Sequence, residues 1–152
     1  MGHEHVVRLL EEGKVLYKKI LVAFDGSEGS WKALRRAMQL AKSCKSGLTA
    51  LSVDESTLYY PGKLGEVSEE ADGYIVKIQV EAVAAAKKEG IELAVESSSG
   101  NAAHRVVFFA EAAKFDLIVI GQMGHSKLWG RLLGDTASRV VDQAYCDVLV
   151  VR

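Results

Sequence analysis

The sequence lacks the features that mark membrane, secreted and nucleic-acid-binding proteins. No apolar run approaches the ~20 residues of a membrane-spanning helix, and no signal-peptide pattern opens the chain. The formal net charge is −1, so we expect neither a nucleic acid nor a membrane surface as a partner. The only two cysteines, Cys44 and Cys146, lie far apart without a partner motif. They predict buried thiols in a reducing compartment, and hence a cytoplasmic protein.

The composition that remains is that of one globular domain. Hydrophobic residues make up 49% and charged residues 26% of the 152 residues, as in ordinary soluble domains. We predict an N-terminal extension over residues 1–16 and a single domain over residues 17–152. The extension has a weak amphipathic pattern at Val6, Leu9 and Leu10. It is either a short extra helix or a frayed tail.

Strand-like and helix-like patterns alternate through the domain. Five apolar runs, rich in β-branched residues, predict strands at Ile20–Phe24, Leu48–Val53, Ile91–Val95, Leu117–Ile120 and Val148–Val151. Amphipathic patterns between them predict four helices, with Ser27 capping the first and Asn101 the third. This alternation predicts an α/β fold in which right-handed crossovers build one open parallel sheet with helices on both faces.

The segment from Glu55 to Glu70 interrupts this alternation. It contains the only proline, Pro61, together with Gly62 and Gly65. We predict a long loop here, which is either a lid, a binding loop or a surface insertion.

The segment over residues 121–134 carries a glycine pattern of the form G-x2-G-x9-G, at Gly121, Gly124 and Gly134. It follows the fourth predicted strand and precedes the fourth predicted helix. Glycines let backbone N–H groups approach a bound group closely, and a helix beginning at Gly134 would point unsatisfied N–H groups into the same space. The segment therefore predicts an anion site, most simply for phosphate.

Two other strand ends meet the same edge of a parallel sheet, where ligands bind. Asp25 follows the first strand, and its carboxylate suits a ribose hydroxyl or a metal-bound water. The backbone at Val53, near the end of the second strand, suits the edge of an adenine ring. The alternative for Asp25-Gly-Ser-Glu is a turn and helix cap without a ligand.

Several of these stretches together resemble the universal stress proteins of the UspA type. The resemblance rests on residues 17–28, on Phe115–Gly121, on the glycine segment and on Cys146–Arg152. It implies a five-stranded sheet of order 3-2-1-4-5, of the adenine nucleotide alpha hydrolase-like kind, and a homodimer formed through the last strand, residues 147–152. It also implies a site for ATP or a related adenine nucleotide at Ala23, Asp25, Val53, Gly121, Met123, Gly124 and Gly134.

One position departs from the ATP-binding branch of that family, where a Ser or Thr follows the final glycine. Here Asp135 follows Gly134, and Thr136 comes one place later; we include both in the predicted nucleotide site. A carboxylate ~5 Å from a phosphate charge costs roughly 3 kcal/mol at an effective dielectric near 20. A Mg2+ ion shared with the phosphates would instead make Asp135 a metal ligand. His125 suits a phosphate contact, and Lys127 and Arg131 could screen the acid.

We therefore expect a nucleotide-binding regulatory protein of the stress response that acts on an unidentified protein partner. The alternatives are a weak ATPase and a dimeric scaffold without nucleotide. We predict no catalytic residues, because no general base or nucleophile is evident beyond Asp25 and Asp135.

Overall fold

A computed structural model describes residues 16–59, 64–123 and 133–152 of the chain. The first elements are β1 (Lys19–Ala23), α1 (Glu28–Cys44) and β2 (Gly47–Asp54). A short helix, α2 (Ser56–Tyr59), precedes α3 (Leu64–Lys88) and β3 (Leu93–Ser99). The last elements are α4 (Ala102–Ala112), β4 (Leu117–Gly121), α5 (Asp135–Gln143) and β5 (Asp147–Val151). None of the helices in the described ranges is long and apolar enough to cross a membrane.

The five strands form one parallel sheet of order β3-β2-β1-β4-β5, which confirms the predicted order. The central strand β1 pairs with β2 as far as Ala23–Leu51 and with β4 as far as Val22–Val119. The strand order reverses between β1 and β4, so the connections leave in opposite directions there. A crevice opens outside the carboxyl ends of the strands at such a point.

Helices cover both faces of the sheet. Alternate residues of β1 show this directly, since Ile20 and Val22 are buried under α1 and α3 while Leu21 is buried under α4 and α5. Burial on both faces explains why this strand is apolar throughout. The edge strand β5 is less covered, because Val148 and Val150 stay partly exposed.

The helix caps predicted from the sequence are confirmed. Ser27 Oγ accepts a hydrogen bond from Ser30 N at the start of α1, at 3.2 Å. Asn101 Oδ1 accepts one from His104 N at the start of α4, at 3.0 Å. Both contacts span three residues, as expected for side chains that satisfy the first amides of a helix.

The long loop predicted between Glu55 and Glu70 is wrong for most of its length. Residues 56–59 form α2, and α3 already begins at Leu64. Glu, Ala and other residues of adequate helix propensity dominate from Glu66 onward, so the helix extends well before the apolar pattern that revealed it. Gly65 lies in the first turn of α3, where amide groups lack helical partners in any case. Pro61 and Gly62 lie outside the described residues.

Two further expectations differ from the structure. β3 runs over Leu93–Ser99 and not Ile91–Val95, because the polar residues 97–99 continue the ladder with β2 as far as Asp54. An edge strand needs no apolar residues on its open face. The cysteines Cys44 and Cys146 are both free thiols, but they are only partly buried.

The predicted N-terminal extension lies outside the described residues, apart from Leu16.

Candidate nucleotide site at the carboxyl ends of the strands

A cavity of about 380 Å³ lies at the carboxyl ends of β1, β2 and β4, over the point where the strand order reverses. Its volume falls in the range of small-molecule sites. Eight of the ten positions predicted from the sequence line this cavity: Ala23, Asp25, Val53, Gly121, Met123, Gly134, Asp135 and Thr136. The other two, Gly124 and His125, lie outside the described residues, as do Lys127 and Arg131.

The turn after β1 places the carboxylate of Asp25 on the cavity wall. Asp25 Oδ1 accepts a hydrogen bond from Ser27 N at 2.9 Å. Gly26, between them, has a φ of 81°, in the left-handed region that favours glycine. The residues Asp25, Gly26 and Ser27 thus form both a turn and a helix start, as the structural alternative predicted, and still present the carboxylate to the cavity.

Helix α3 forms a wall of the same cavity. Tyr74 Oη donates a hydrogen bond to the Asp25 carbonyl oxygen at 2.8 Å, and Ile75 and Ile78 line the cavity beside it. Burial, and then the negative charge of Asp25, raise the pKa of the Tyr74 phenol, which keeps it protonated and able to donate. This wall was not predicted from the sequence.

The end of β2 offers main-chain groups to the cavity. Phe24 N donates to the Leu51 carbonyl oxygen at 2.9 Å, where the contact between β1 and β2 ends. The N–H and C=O groups of successive residues in a strand point to opposite sides, so residues two apart point to the same side. The main-chain groups of Val53 therefore face the β1 side, as those of Leu51 do. The buried Ser52 hydroxyl donates to the Phe24 carbonyl oxygen at 2.7 Å and fixes the spacing of the two strands at this level.

The end of β4 is in close backbone contact with the start of α1. A Cβ atom on Gly121 would lie 2.6 Å from the carbonyl oxygen of Gly29, which is shorter than any side chain tolerates. Glycine at position 121 is therefore required by helix packing, whatever the site binds. From the sequence, this glycine is predicted to serve anion binding alone.

The two ends of the glycine segment are joined by backbone hydrogen bonds. Gly134 N donates to the Gln122 carbonyl oxygen at 2.8 Å, and Gln122 N donates to the Val151 carbonyl oxygen at 2.8 Å. A Cβ atom on Gly134 would lie 3.0 Å from the same Gln122 oxygen. These contacts bring the start of α5 to the end of β4, at the cavity.

The helices α1, α4 and α5 all begin at the cavity, and they differ in how their first amides are satisfied. Side chains cap α1 through Ser27 and α4 through Asn101, and Glu55 Oε1 accepts a further bond from Ala102 N at 2.8 Å. α5 has Gly134 at its cap position and receives no side-chain cap hydrogen bond. Of these three helix starts, only that of α5 has no side-chain cap for its amides, which suit a bound anion.

Asp135 is the first residue of α5 and lines the cavity. Its side chain is 75% exposed and forms an ion pair with Arg139, with 3.4 Å between Oδ1 and Nε. From the sequence this carboxylate is expected close to a bound phosphate, as a repelling charge or as a Mg2+ ligand. In the structure it lies at the cavity rim and is partly compensated by an arginine one helical turn later.

The charge of the cavity is negative over the described residues. Four carboxylates, those of Asp25, Asp54, Glu55 and Asp135, line it, against the single cation Arg139. Asp54 Oδ1 accepts a hydrogen bond from Ser56 N at 2.8 Å. Glu55 Oε1 accepts the bond from Ala102 N at the start of α4. Among the described residues there is no group of three or more His, Cys, Asp or Glu side chains that could hold a metal ion by itself.

Comparisons with known proteins match this architecture over almost the whole chain. The family model of the universal stress protein family matches residues 16–152. A universal stress protein of Methanocaldococcus jannaschii is 36% identical over 149 residues, covering 95% of this chain and 87% of that protein. The solved structure of UspA from Lactobacillus plantarum is similar with a TM-score of 0.80 and 30% identity, over 90% of this chain and 98% of that one. A universal stress protein solved in complex with cAMP has a TM-score of 0.71 and 29% identity, over 90% of this chain and 97% of that one.

Proposed function

The chain belongs to the universal stress protein family, and on that premise we propose that it binds an adenine nucleotide, ATP with Mg2+ or a related nucleotide, as a regulatory protein of the stress response. The observation that carries this proposal is the start of α5, which faces the cavity without a side-chain cap. The similar universal stress protein in complex with cAMP supports an adenine nucleotide as the ligand class.

The lining of the cavity suggests where each part of the nucleotide binds. The phosphates lie at the amides of Asp135 and Thr136, in the first turn of α5, where the helix dipole is positive. The adenine edge pairs with the main chain of Val53, next to Ala23. The ribose hydroxyls donate to the Asp25 carboxylate, which is an acceptor-only group when ionised. Gly124 and His125 remain predicted phosphate contacts from the sequence alone.

Mg2+ fits the donor set only as a metal shared with the ligand. Carboxylate oxygens are the ligands it prefers, and it is usually held by one or two carboxylates together with substrate phosphates and waters. Asp135, at the cavity rim beside the proposed phosphate position, is the residue that would hold it. The ion would supply positive charge between a carboxylate and a polyphosphate that otherwise repel each other.

The exposure of Asp135 sets the size of that repulsion. Two unit charges ~5 Å apart repel by roughly 3 kcal/mol at an effective dielectric of 20, and by about 1 kcal/mol in water. The side chain is 75% exposed and paired with Arg139, which favours the lower value. A penalty of about 1 kcal/mol weakens ATP about fivefold, so the acid reduces binding without preventing it.

Calorimetric titration with ATP, with and without Mg2+, tests the proposal. We expect Mg2+ to strengthen binding to the wild-type protein. Asp135→Ser should strengthen metal-free binding by about fivefold and reduce the effect of Mg2+. Asp142→Ser is the matched control, because Asp142 is an exposed acid on the same helix that does not line the cavity. Absence of binding to the wild type under either condition, with binding restored in Asp135→Ser, would place this chain in the non-binding branch of the family.

We also propose that the chain forms a homodimer through β5. This strand is at the edge of the sheet, and its apolar residues Val148, Leu149 and Val150 are only partly buried. Unpaired edge strands of this kind invite pairing, and a two-fold interface would pair β5 with its own copy. Nucleotide occupancy would then alter the surface presented to a partner protein by a dimer.

A further inference from the structure

Tyr74 is in tight contact with the turn that carries Asp25. Its Oη donates to the Asp25 carbonyl oxygen at 2.8 Å. A Cβ atom on Gly26 would lie 2.5 Å from the same Oη and 2.8 Å from Ile78 Cγ2. The turn and α3 are therefore too close to each other for a side chain at position 26.

The orientation of Asp25 is fixed by two different elements. Ser27 N, at the start of α1, binds its carboxylate oxygen Oδ1. Tyr74, from α3, binds its carbonyl oxygen across 49 residues of sequence. A hydrogen bond on each side of the Cα atom restricts both the backbone and the side chain of this residue.

Other contacts of α3 also hold the helix on the sheet. Gln79 is buried and its Nε2 donates to the Glu96 carbonyl oxygen at 2.9 Å and to Ser97 Oγ at 3.2 Å. Ile78 and Ala82 are buried in the core on the same side. The Tyr74 side chain, in contrast, is 44% exposed and lines the cavity. Its hydroxyl contacts the turn after β1, at the Asp25 carbonyl oxygen.

We propose that Tyr74 is a positioning residue that holds the Asp25 carboxylate for a ribose hydroxyl, so that the cavity discriminates ribonucleotides from deoxyribonucleotides. This inference rests on the proposed function, since it assigns a specificity to the same site. The physical basis is that a carboxylate positioned to accept a hydrogen bond from a hydroxyl increases the affinity only for ligands that carry that hydroxyl. Discrimination of this kind is weakened when the Asp25 backbone, and the carboxylate with it, can shift relative to the cavity, even if the ligand still binds.

The test compares affinities for AMP, 2′-deoxy-AMP and 3′-deoxy-AMP in the wild type and in Tyr74→Phe. The wild type should favour AMP over at least one deoxy ligand by about twofold to tenfold, the contribution of one hydrogen bond. Tyr74→Phe should bring that ratio close to one, mainly by weakening AMP. Tyr145→Phe is the matched control, because Tyr145 is 80% exposed and does not line the cavity. It should keep the wild-type ratio. A thermal melt of each variant shows whether it folds.

The outcomes separate this inference from the function on which it rests. If Tyr74→Phe keeps the wild-type ratio, or weakens all three ligands by the same factor, Tyr74 does not position Asp25 for the ribose. A wild type that binds the three ligands equally overturns the inference as well. If the wild type binds none of them, and ATP gives no signal either, the proposed function fails and the inference fails with it.

Discussion

The contact between Gly121 and Gly29 predicts that replacing Gly121 by Ala lowers the free energy of unfolding. Replacing Gly121 by Ala puts a Cβ atom 2.6 Å from the Gly29 carbonyl oxygen and 2.7 Å from its carbonyl carbon. Both atoms belong to the backbone, so no side chain can rotate away to relieve the clash. Either α1 or the end of β4 must shift. Overpacking of a buried site costs about 1–3 kcal/mol, and a backbone contact belongs in the upper part of that range.

Urea unfolding followed by circular dichroism measures this change. With a slope of about 2 kcal/mol per M for a domain of this size, a loss of about 2–3 kcal/mol lowers the midpoint of Gly121→Ala by about 1–1.5 M. Gly73→Ala is the matched control, because a Cβ atom on Gly73 meets nothing within 4 Å. Gly73 lies inside α3, where replacing glycine by alanine stabilises a helix by about 0.5–1 kcal/mol. The same substitution should therefore raise the midpoint at one glycine and lower it at the other.

The result that would refute this reasoning is an unchanged midpoint in Gly121→Ala. If the variant unfolded like the wild type but bound nucleotide more weakly, glycine would be required there by the ligand and not by the helix contact. If Gly121→Ala were destabilised, its nucleotide affinity alone would say nothing about the anion site.

Two further predictions concern the edge of the sheet where β5 begins and the strand itself. The Tyr17 hydroxyl donates to Asp147 Oδ2 at 2.8 Å, and this bond together with burial raises the pKa of Tyr17 to about 12. Since the folded pKa lies above the ordinary value, stability is retained below pH 10 and falls as pH rises from about 10 toward 12. Tyr17→Phe should show a smaller fall in melting temperature over this interval than the wild type, and an equal fall would contradict the assignment. For the proposed dimer, sedimentation velocity at micromolar concentration should give a species of twice the chain mass of 16.5 kDa, whereas a monomer would count against pairing through β5.

The parts of the fold that were predicted correctly are those with local signals. The runs around Ile20 and Leu117 are apolar throughout because both faces of these strands are buried. Ser27 and Asn101 could be identified as caps because a cap contacts an amide only three residues away. The strand order itself came from the resemblance to a known family and is confirmed by the pairing of the strands.

The parts that were missed depend on contacts between distant residues. Tyr74 meets Asp25 across 49 residues, and nothing in the local pattern says which turn α3 will cover. The one available signal was chemical, since a tyrosine on the buried side of a helix needs a hydrogen-bond partner. The role of Gly121 was misjudged for the same reason, because Gly29 is 92 residues earlier in the chain.

Arg139 is different, because its contact is local and could have been predicted. It follows Asp135 by four residues in a predicted helix, the spacing at which side chains of opposite charge pair. The cations considered instead, His125, Lys127 and Arg131, lie within the glycine segment. Those residues lie outside the described ranges, so their screening of Asp135 stays a prediction.

Asp135 shows how one residue can favour the free protein and disfavour its ligand. An acid in the first turn of a helix stabilises it by about 0.3–1 kcal/mol through the dipole, and Arg139 holds this acid at the rim without blocking the amides. The same charge opposes a phosphate at those amides. Asp135→Ser should therefore lower the melting temperature of the free protein slightly while increasing the rise in melting temperature caused by metal-free ATP. Thermal melts with and without ATP measure both effects. The charge argument would be wrong if Asp135→Ser lowered, or raised, both the melting temperature of the free protein and the rise caused by ATP. Asp135 would then affect both through the stability of α5 and not through its charge near the phosphates.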